Sequence, residues 1–96
     1  MNEIQTPKGV LKYRNPTVLE NMEMLKASRE YFKNEDPLGA KIELIKHLKP
    51  LLDYSGMEGI KSFDELNEYG EEMTLPLSQI ADEILNKVAG AFVKKN

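Results

Sequence analysis

The feature that most constrains this chain is a junction where an extended segment gives way to a helix. Asn15 can cap a helix by accepting a hydrogen bond from a first-turn N–H, and Pro16 suits the first helical position because its missing N–H needs no partner there. Thr17 and Glu20 fit a second start, the reciprocal capping box, two residues further on. The sequence therefore predicts a helix that begins at one of these two positions.

The segment before the junction has the pattern of a strand. Leu11 and Tyr13 fall on one face of residues 10–14, as in a half-buried strand, and the turn-forming residues 6–9 precede it. We therefore expect residues 1–14 to hold one strand or a small hairpin. A lone hairpin is marginal in water, so it must pack on the helices or pair with another chain, which leaves a homo-oligomer open.

The first helix is predicted over residues 16–33, with an apolar stripe facing the core: Val18, Met22, Leu25 and Phe32. Arg29 falls within this stripe, and we expect its guanidinium to reach solvent or to pair with a carboxylate of residues 35–36. The alternative is that Arg29 anchors an acidic group of a partner. Met24 and Tyr31 lie nearly opposite the stripe, so they are expected either beneath a second covering layer or exposed as partner contacts.

Three more helices follow from capping signals and apolar spacing. Asp36 and Pro37 start the second, which is expected to run to residue 53 with Pro50 kinking its last turn. Its broad apolar face contains Leu38, Ile42, Leu44, Ile45, Leu48, Leu51 and Leu52. Ser62 starts a short third helix, with an apolar stripe of Phe63, Leu66, Tyr69 and Met73. A break at residues 74–76 opens the fourth, over residues 76–93, followed by the helix-end lysines Lys94 and Lys95.

These elements predict one fold class. It is mainly α, a small bundle of about four helices with a short N-terminal β strand or hairpin. At 96 residues and 41% hydrophobic content the chain is expected to be a single helical domain over residues 1–96, with residues 1–14 extended and residues 15–93 helical. No apolar run approaches the roughly 20 residues of a membrane span, and the first residues do not resemble a signal peptide, so no membrane partner and a cytoplasmic location are expected.

The charge is distributed unevenly. Residues 62–86 contain seven acidic residues and no lysine or arginine, within a chain of net charge −3. Nucleic-acid binding is disfavoured, because contact with phosphates calls for a basic surface. Five of the acidic residues, Glu71 among them, share an arc of the third helix, which we interpret as a solvated face or a protein-docking surface. The four candidate partner contacts on it are Asp64, Glu65, Glu68 and Glu72.

Catalytic chemistry is not indicated by any motif. The only histidine, His47, falls on the polar face of the second helix with Glu43 one turn before it, and no second histidine, cysteine or serine motif completes a metal or nucleophile site. The acidic residues of the third helix diverge rather than wrap around an ion. We therefore expect a protein that is not an enzyme, with no cofactor and no metal.

Residues 11–20, Leu-Lys-Tyr-Arg-Asn-Pro-Thr-Val-Leu-Glu, carry a family resemblance. A short β segment that runs through Asn-Pro-Thr into a helix resembles the start of tail assembly chaperones of long-tailed phages, over about residues 8–54. Those are small, acidic, largely helical proteins, thought to keep the tape measure protein soluble while the tail tube polymerises around it. The resemblance implies a protein partner, no catalytic residues and, for a phage-encoded protein, the host cytoplasm.

Two classes of function stay open. In the first, a chaperone-like module engages an amphipathic helix of a long partner through apolar and basic residues of the first helix, Met24, Arg29 and Tyr31, and through the third helix. In the second, the chain is a small acidic inhibitor whose Asp64–Glu72 face meets a basic surface of a host or phage protein. Apolar docking should survive roughly 0.5 M salt, whereas charge-led binding should weaken steeply.

The resemblance also carries an expectation for the last residues. Tail assembly chaperones are often made in two lengths, the longer by ribosomal frameshifting near the end of the short gene. Lys94-Lys95-Asn96 can be encoded as an adenine-rich run of the kind on which ribosomes slip back one base. The ordinary alternative is that the two lysines complement the helix dipole. An AAG-AAG coding sequence, or a −1 frame that closes at once, would exclude slippage.

Overall fold

A computed structural model of the protein describes residues 1–92, with side chains described as far as Lys87. The fold is mainly α-helical with a small N-terminal sheet, as predicted. In chain order the elements are β1 (Asn2–Thr6), β2 (Gly9–Tyr13), α1 (Val18–Lys33), α2 (Pro37–Lys46), a 3₁₀ turn (Lys49–Leu51), β3 (Leu52–Asp53), α3 (Phe63–Glu68) and α4 (Glu71–Phe92). The lysines predicted to follow the last helix, Lys94 and Lys95, lie outside the described residues.

The predicted hairpin is present and forms part of a larger sheet. β1 and β2 are antiparallel with Ile4 opposite Leu11, and Gly9 closes the turn with a φ of +117° that favours glycine. β3 pairs with the other edge of β2, so the three strands lie in the order β1-β2-β3. Leu11 and Tyr13 are buried, as their alternation predicts, and the Tyr13 hydroxyl donates a hydrogen bond to Glu83 of α4. This bond ties the sheet to the longest helix.

The second helix is shorter than predicted. α2 ends at Lys46, and residues 47–53, expected to be helical, form the 3₁₀ turn and β3 instead. Pro50 explains this end: in a continuing helix its ring would collide with the carbonyl of Lys46, four residues earlier. Leu51 still reaches the core, while β3 hydrogen-bonds to the edge of β2. The interpretation of Pro50 as a kink was wrong.

The junction uses the second of the two predicted helix starts. Thr17 caps α1: its hydroxyl accepts from the Glu20 N–H at 3.2 Å, and the Glu20 carboxylate accepts from the Thr17 N–H at 2.9 Å. Arg14, just after β2, adds two hydrogen bonds to the same carboxylate at 2.8 and 2.9 Å. Asn15 does not cap the helix; its side-chain oxygen accepts from the Asn2 amide at 2.7 Å. The Glu20 side chain therefore links the end of β2, the capping residue Thr17 and the helix α1.

α1 packs on α2 through a different face from the one predicted. Met24 and Ser28 are buried, and the Ser28 hydroxyl donates to the Met24 carbonyl at 2.9 Å, so its burial leaves no unpaired group. The Tyr31 ring lies against Gly39 of α2, where a Cβ would overlap it. Close approach at these small residues turns most of the predicted core stripe towards solvent: Val18, Met22 and Phe32 are exposed.

The break between the last two helices lies at Gly70 rather than at residues 74–76. Gly70 has a φ of +58°, in the left-handed region that ends a helix, and α4 starts at the next residue. Pro76 lies inside α4, where it removes one N–H donor and is itself buried. The predicted apolar face of α4 is confirmed over its described side chains, with Leu77, Ile80, Ala81 and Ile84 in the core.

Candidate functional site

A groove of about 300 Å³ opens between α2 and the α3–α4 pair. Its apolar side chains are Leu38, Ile42 and Ile45 from α2, Leu66 from α3, and Met73 and Leu77 from α4. Lys41, Asn67, Thr74 and Ser78 add polar groups. Leu38 is 67% exposed and Ile42 is 50% exposed, although both border a concave apolar surface. Such a site is typical of surfaces that bind another molecule.

The groove exists because the apolar face of α2 is broader than its neighbours can cover. α1 covers the side of α2 that carries Gly39, and α2 buries Ala40 and Leu44 in the core. Leu38 and Ile42 lie beyond that buried arc and remain uncovered in the part of the chain that the structure describes. The same helix thus supplies both a core face and one wall of the groove.

The groove has a single charged lining residue, Lys41, although residues 62–86, which include α3 and much of α4, are acidic. Lys41 on the α2 side is neutralised by Asp82 of α4, with the Nζ–Oδ1 pair at 3.2 Å. The one charged residue that lines the groove is therefore already paired, and no carboxylate of the described residues lines it. A ligand with an apolar face would complement this site.

The predicted acidic surface is exposed but divided. Asp64, Glu65 and Glu68 belong to α3, whereas Glu72 lies in α4, beyond Gly70 with its left-handed backbone. The prediction that all four share one continuous helical face is therefore wrong. Glu65 has a local role, since its carboxylate accepts from the Lys61 N–H at 2.7 Å. None of the four forms an ion pair with another described residue. Over residues 1–92 no group of three or more potential metal ligands comes together.

The three residues predicted on α1 are placed differently from one another. Met24 is only 2% exposed and belongs to the hydrophobic core, so of its two predicted placements the covered one is confirmed and exposure to a partner is wrong. Tyr31 is half-buried, and its hydroxyl donates to the Glu43 carboxylate at 3.3 Å. Arg29 is exposed and forms no ion pair with any described carboxylate, including Glu35 and Asp36. None of the three lines the groove.

His47 and Glu43 do not pair through their side chains. The His47 Nδ1 lies 2.8 Å from the Glu43 carbonyl, and an N–H there closes the end of α2. The Glu43 carboxylate contacts Tyr31 and Lys46 instead. The imidazole is half-buried beside a second depression, which α1 borders with Leu19, Glu20 and Glu23. Its position is that of a helix-end residue.

The sequence reasoning missed Leu38 and Ile42 as site residues because it assigned both to the core. One signal was present: the predicted apolar face of α2 contained seven large residues, more than one face of a small bundle can bury. Leu75 of α4, 64% exposed, is a further large apolar side chain at the surface.

No family model, curated protein or solved structure matches this chain. Among residues 1–92 no helix combines the length and apolar character needed to cross a bilayer.

Proposed function

We propose that the chain is a non-enzymatic protein-binding module whose groove receives the apolar face of an amphipathic helix from a larger partner. The exposure of Leu38 and Ile42 beside an apolar groove supports this most directly. The α2 wall runs from Leu38 to Ile45, about 10 Å at the helical rise, which matches about two turns of a docked helix. Apolar anchors at i, i+3, i+4 and i+7 suit a groove of this length.

The lining of the groove specifies the partner further. The partner helix presents an apolar face, because most of the lining side chains are apolar and the one charged lining residue, Lys41, is already paired with Asp82. The resemblance of residues 8–54 to tail assembly chaperones suggests a partner of this kind: a tape measure protein held soluble in the host cytoplasm. In this role the chain covers apolar helix surface until that surface is buried in the tail.

Co-expression with a tape measure protein, the partner that the resemblance implies, tests the proposal. We expect the chain to increase the soluble yield of that protein and to co-purify with it. Ile42→Asp should abolish both effects, since a charge would enter the apolar groove. Leu19→Asp is the matched control: Leu19 is 76% exposed, lies outside the groove and should tolerate the change. Equal loss in both variants, or in neither, would contradict binding in the groove.

A small acidic inhibitor is the second candidate function. It is favoured by the exposure of Asp64, Glu65, Glu68 and Glu72 without described ion-pair partners. Reversing Glu65, Glu68 and Glu72 to lysine should then slow association with a basic partner more than it speeds dissociation. Groove binding predicts a complex that persists at about 0.5 M salt, where the Debye length is only about 4 Å. Loss of the complex at that salt concentration would favour the inhibitor.

A further inference from the structure

We propose that two copies of this chain pair through the free edge of β1 and so join their small sheets into one continuous sheet. β1 is hydrogen-bonded to β2 on one side, and in the described part of the chain no strand lies on its other side. Such an edge presents backbone N–H and C=O groups that can pair with another strand. β1 (Asn2–Thr6) contains no lysine, proline or bulge, the features that usually keep an edge from pairing.

The hydrogen bonds of the sheet show which backbone groups of β1 point outward. Val10 lies opposite Gln5 and donates its N–H away from β1, to the Gly56 carbonyl at 3.0 Å. The pair formed by Gln5 and Val10 is therefore not hydrogen-bonded, and because the two kinds of pair alternate, the pair that contains Glu3 is not hydrogen-bonded either. The N–H and C=O groups of Glu3 and Gln5 point to the free edge.

One antiparallel register of two β1 strands uses all of these groups. With Ile4 of both copies at a two-fold axis, Glu3 of each copy lies opposite Gln5 of the other, and each such pair exchanges both of its N–H···O bonds. An axis at Glu3 would set two carboxylates directly opposite each other. An axis at Gln5 would set Glu3 opposite Pro7, which has no N–H to donate. The edge is therefore complementary to itself, as a two-fold contact requires.

The side chains of β1 also match in this register. On the face that packs on the core, the half-buried Ile4 meets its own copy, which extends the apolar row formed by Ile4 and Leu11 across the contact. On the opposite face Glu3, the one charged residue of β1, lies between Lys12 of its own chain and the neutral amide of Gln5 in the other copy. Like charges are thus kept from standing directly opposite each other.

The β1 edge and the groove are separate surfaces. None of residues 2–6 lines the groove, so pairing of the edges leaves one groove open on each copy. A dimer then offers two grooves to one long partner, and engagement of both raises the apparent affinity. The inference goes beyond the proposed function and is tested on the chain alone, so its failure leaves groove binding untouched.

A single introduced cysteine tests the register, because the chain contains no other cysteine. At the two-fold axis the Cα atoms of the two Ile4 residues should be about 4.5 Å apart, within the range that a disulfide bridges. With oxidised glutathione, Ile4→Cys should therefore give a linked dimer of twice the 11.0 kDa monomer mass. Glu3→Cys is the matched control, since its two positions lie diagonally, roughly 8 Å apart, and should stay unlinked.

The cross-linking result can overturn the proposal in two ways. Ile4→Cys that stays monomeric under oxidation would show that the two strands do not meet at this residue. Linkage of Glu3→Cys in place of Ile4→Cys would show a different register.

A proline at an outward position tests the backbone hydrogen bonds independently. Gln5→Pro removes an N–H that β2 does not use, so the hairpin should still form, which circular dichroism checks. Gln5→Thr keeps the N–H and is the matched control. In sedimentation equilibrium from micromolar to millimolar concentration, the average mass of the wild type and of Gln5→Thr should rise towards twice the monomer mass, whereas Gln5→Pro should remain monomeric. A wild type that stays monomeric throughout, or Gln5→Pro that still dimerises, would overturn the proposal.

Discussion

Glu20 shows how much one side chain contributes to the arrangement of this small fold. Its carboxylate accepts hydrogen bonds from Arg14, at the end of the sheet, and from the N–H of the capping residue Thr17. The Arg14 guanidinium, with help from the Thr17 N–H, lowers the pKa of Glu20 to about 2. The direction of the chain between β2 and α1 is set by these contacts.

The first prediction concerns the pH dependence of this contact. Because the folded pKa of Glu20 lies below the value of roughly 4.3 for an unfolded chain, its stabilisation is complete above about pH 5 and is lost as the pH falls towards 2. Arg14 is 40% exposed, so solvent screening limits the effect, and Glu20→Gln should cost about 1 kcal/mol at pH 7. Urea unfolding should show that the difference in stability between Glu20→Gln and the wild type is smaller at pH 3 than at pH 7. Glu30→Gln, an exposed change on the same helix, should show no such trend.

The second prediction is that an isoleucine-to-alanine substitution lowers the stability more in the core than in the groove. Ile80 of α4 is fully buried, so Ile80→Ala should lower the free energy of unfolding by roughly 2 to 5 kcal/mol. Ile42 is half exposed, so Ile42→Ala should cost less than about 1 kcal/mol. Chemical denaturation measures both. An equal loss of stability would mean that Ile42 belongs to the core.

At the scale of elements, the starts of α1, α2 and α3 could be predicted from the sequence, whereas the start of α4 and the end of α2 could not. Ser62 and Thr17 each accept from the N–H three residues on, and Asp36 does the same, because capping is local chemistry. The ends depend on competing contacts. Residues 52–53 leave the predicted helix to pair with β2, a partner that lies about 40 residues earlier in the sequence and that periodicity alone does not reveal.

The third prediction tests the links between helices. Gly70 has left-handed backbone and open space at its Cβ position, so Gly70→Ala should cost about 1 kcal/mol from backbone strain alone. Glu35, between α1 and α2, is a non-glycine residue at φ +56°, so Glu35→Gly should instead stabilise by several tenths of a kcal/mol. Thermal or urea unfolding measures both changes. A stabilising Gly70→Ala would place the helix break elsewhere, near residues 74–76.

At the scale of the whole molecule, the fold class followed from patterns in the sequence, but the candidate site did not. Apolar periodicity identifies which residues of a helix share a face; it does not say which of two apolar arcs the neighbours cover. On α1 the buried arc is that of Met24 and Ser28, because Tyr31 can approach Gly39 closely. The larger arc, with Phe32, therefore stays exposed, and the exposed groove on α2 depends on tertiary packing in the same way.

The isoleucine methyl groups offer the most direct view of where a partner binds. The chain has six isoleucines, of which Ile42 and Ile45 line the groove, while Ile4 and Ile60 lie outside it. Methyl-labelled protein should be titrated, at low and at about 0.5 M salt, with a helical segment of the partner that the co-expression experiment identifies. We predict that the Ile42 and Ile45 signals shift in both conditions while those of Ile4 and Ile60 do not. Unchanged Ile42 and Ile45 signals in a saturated complex would contradict binding in the groove.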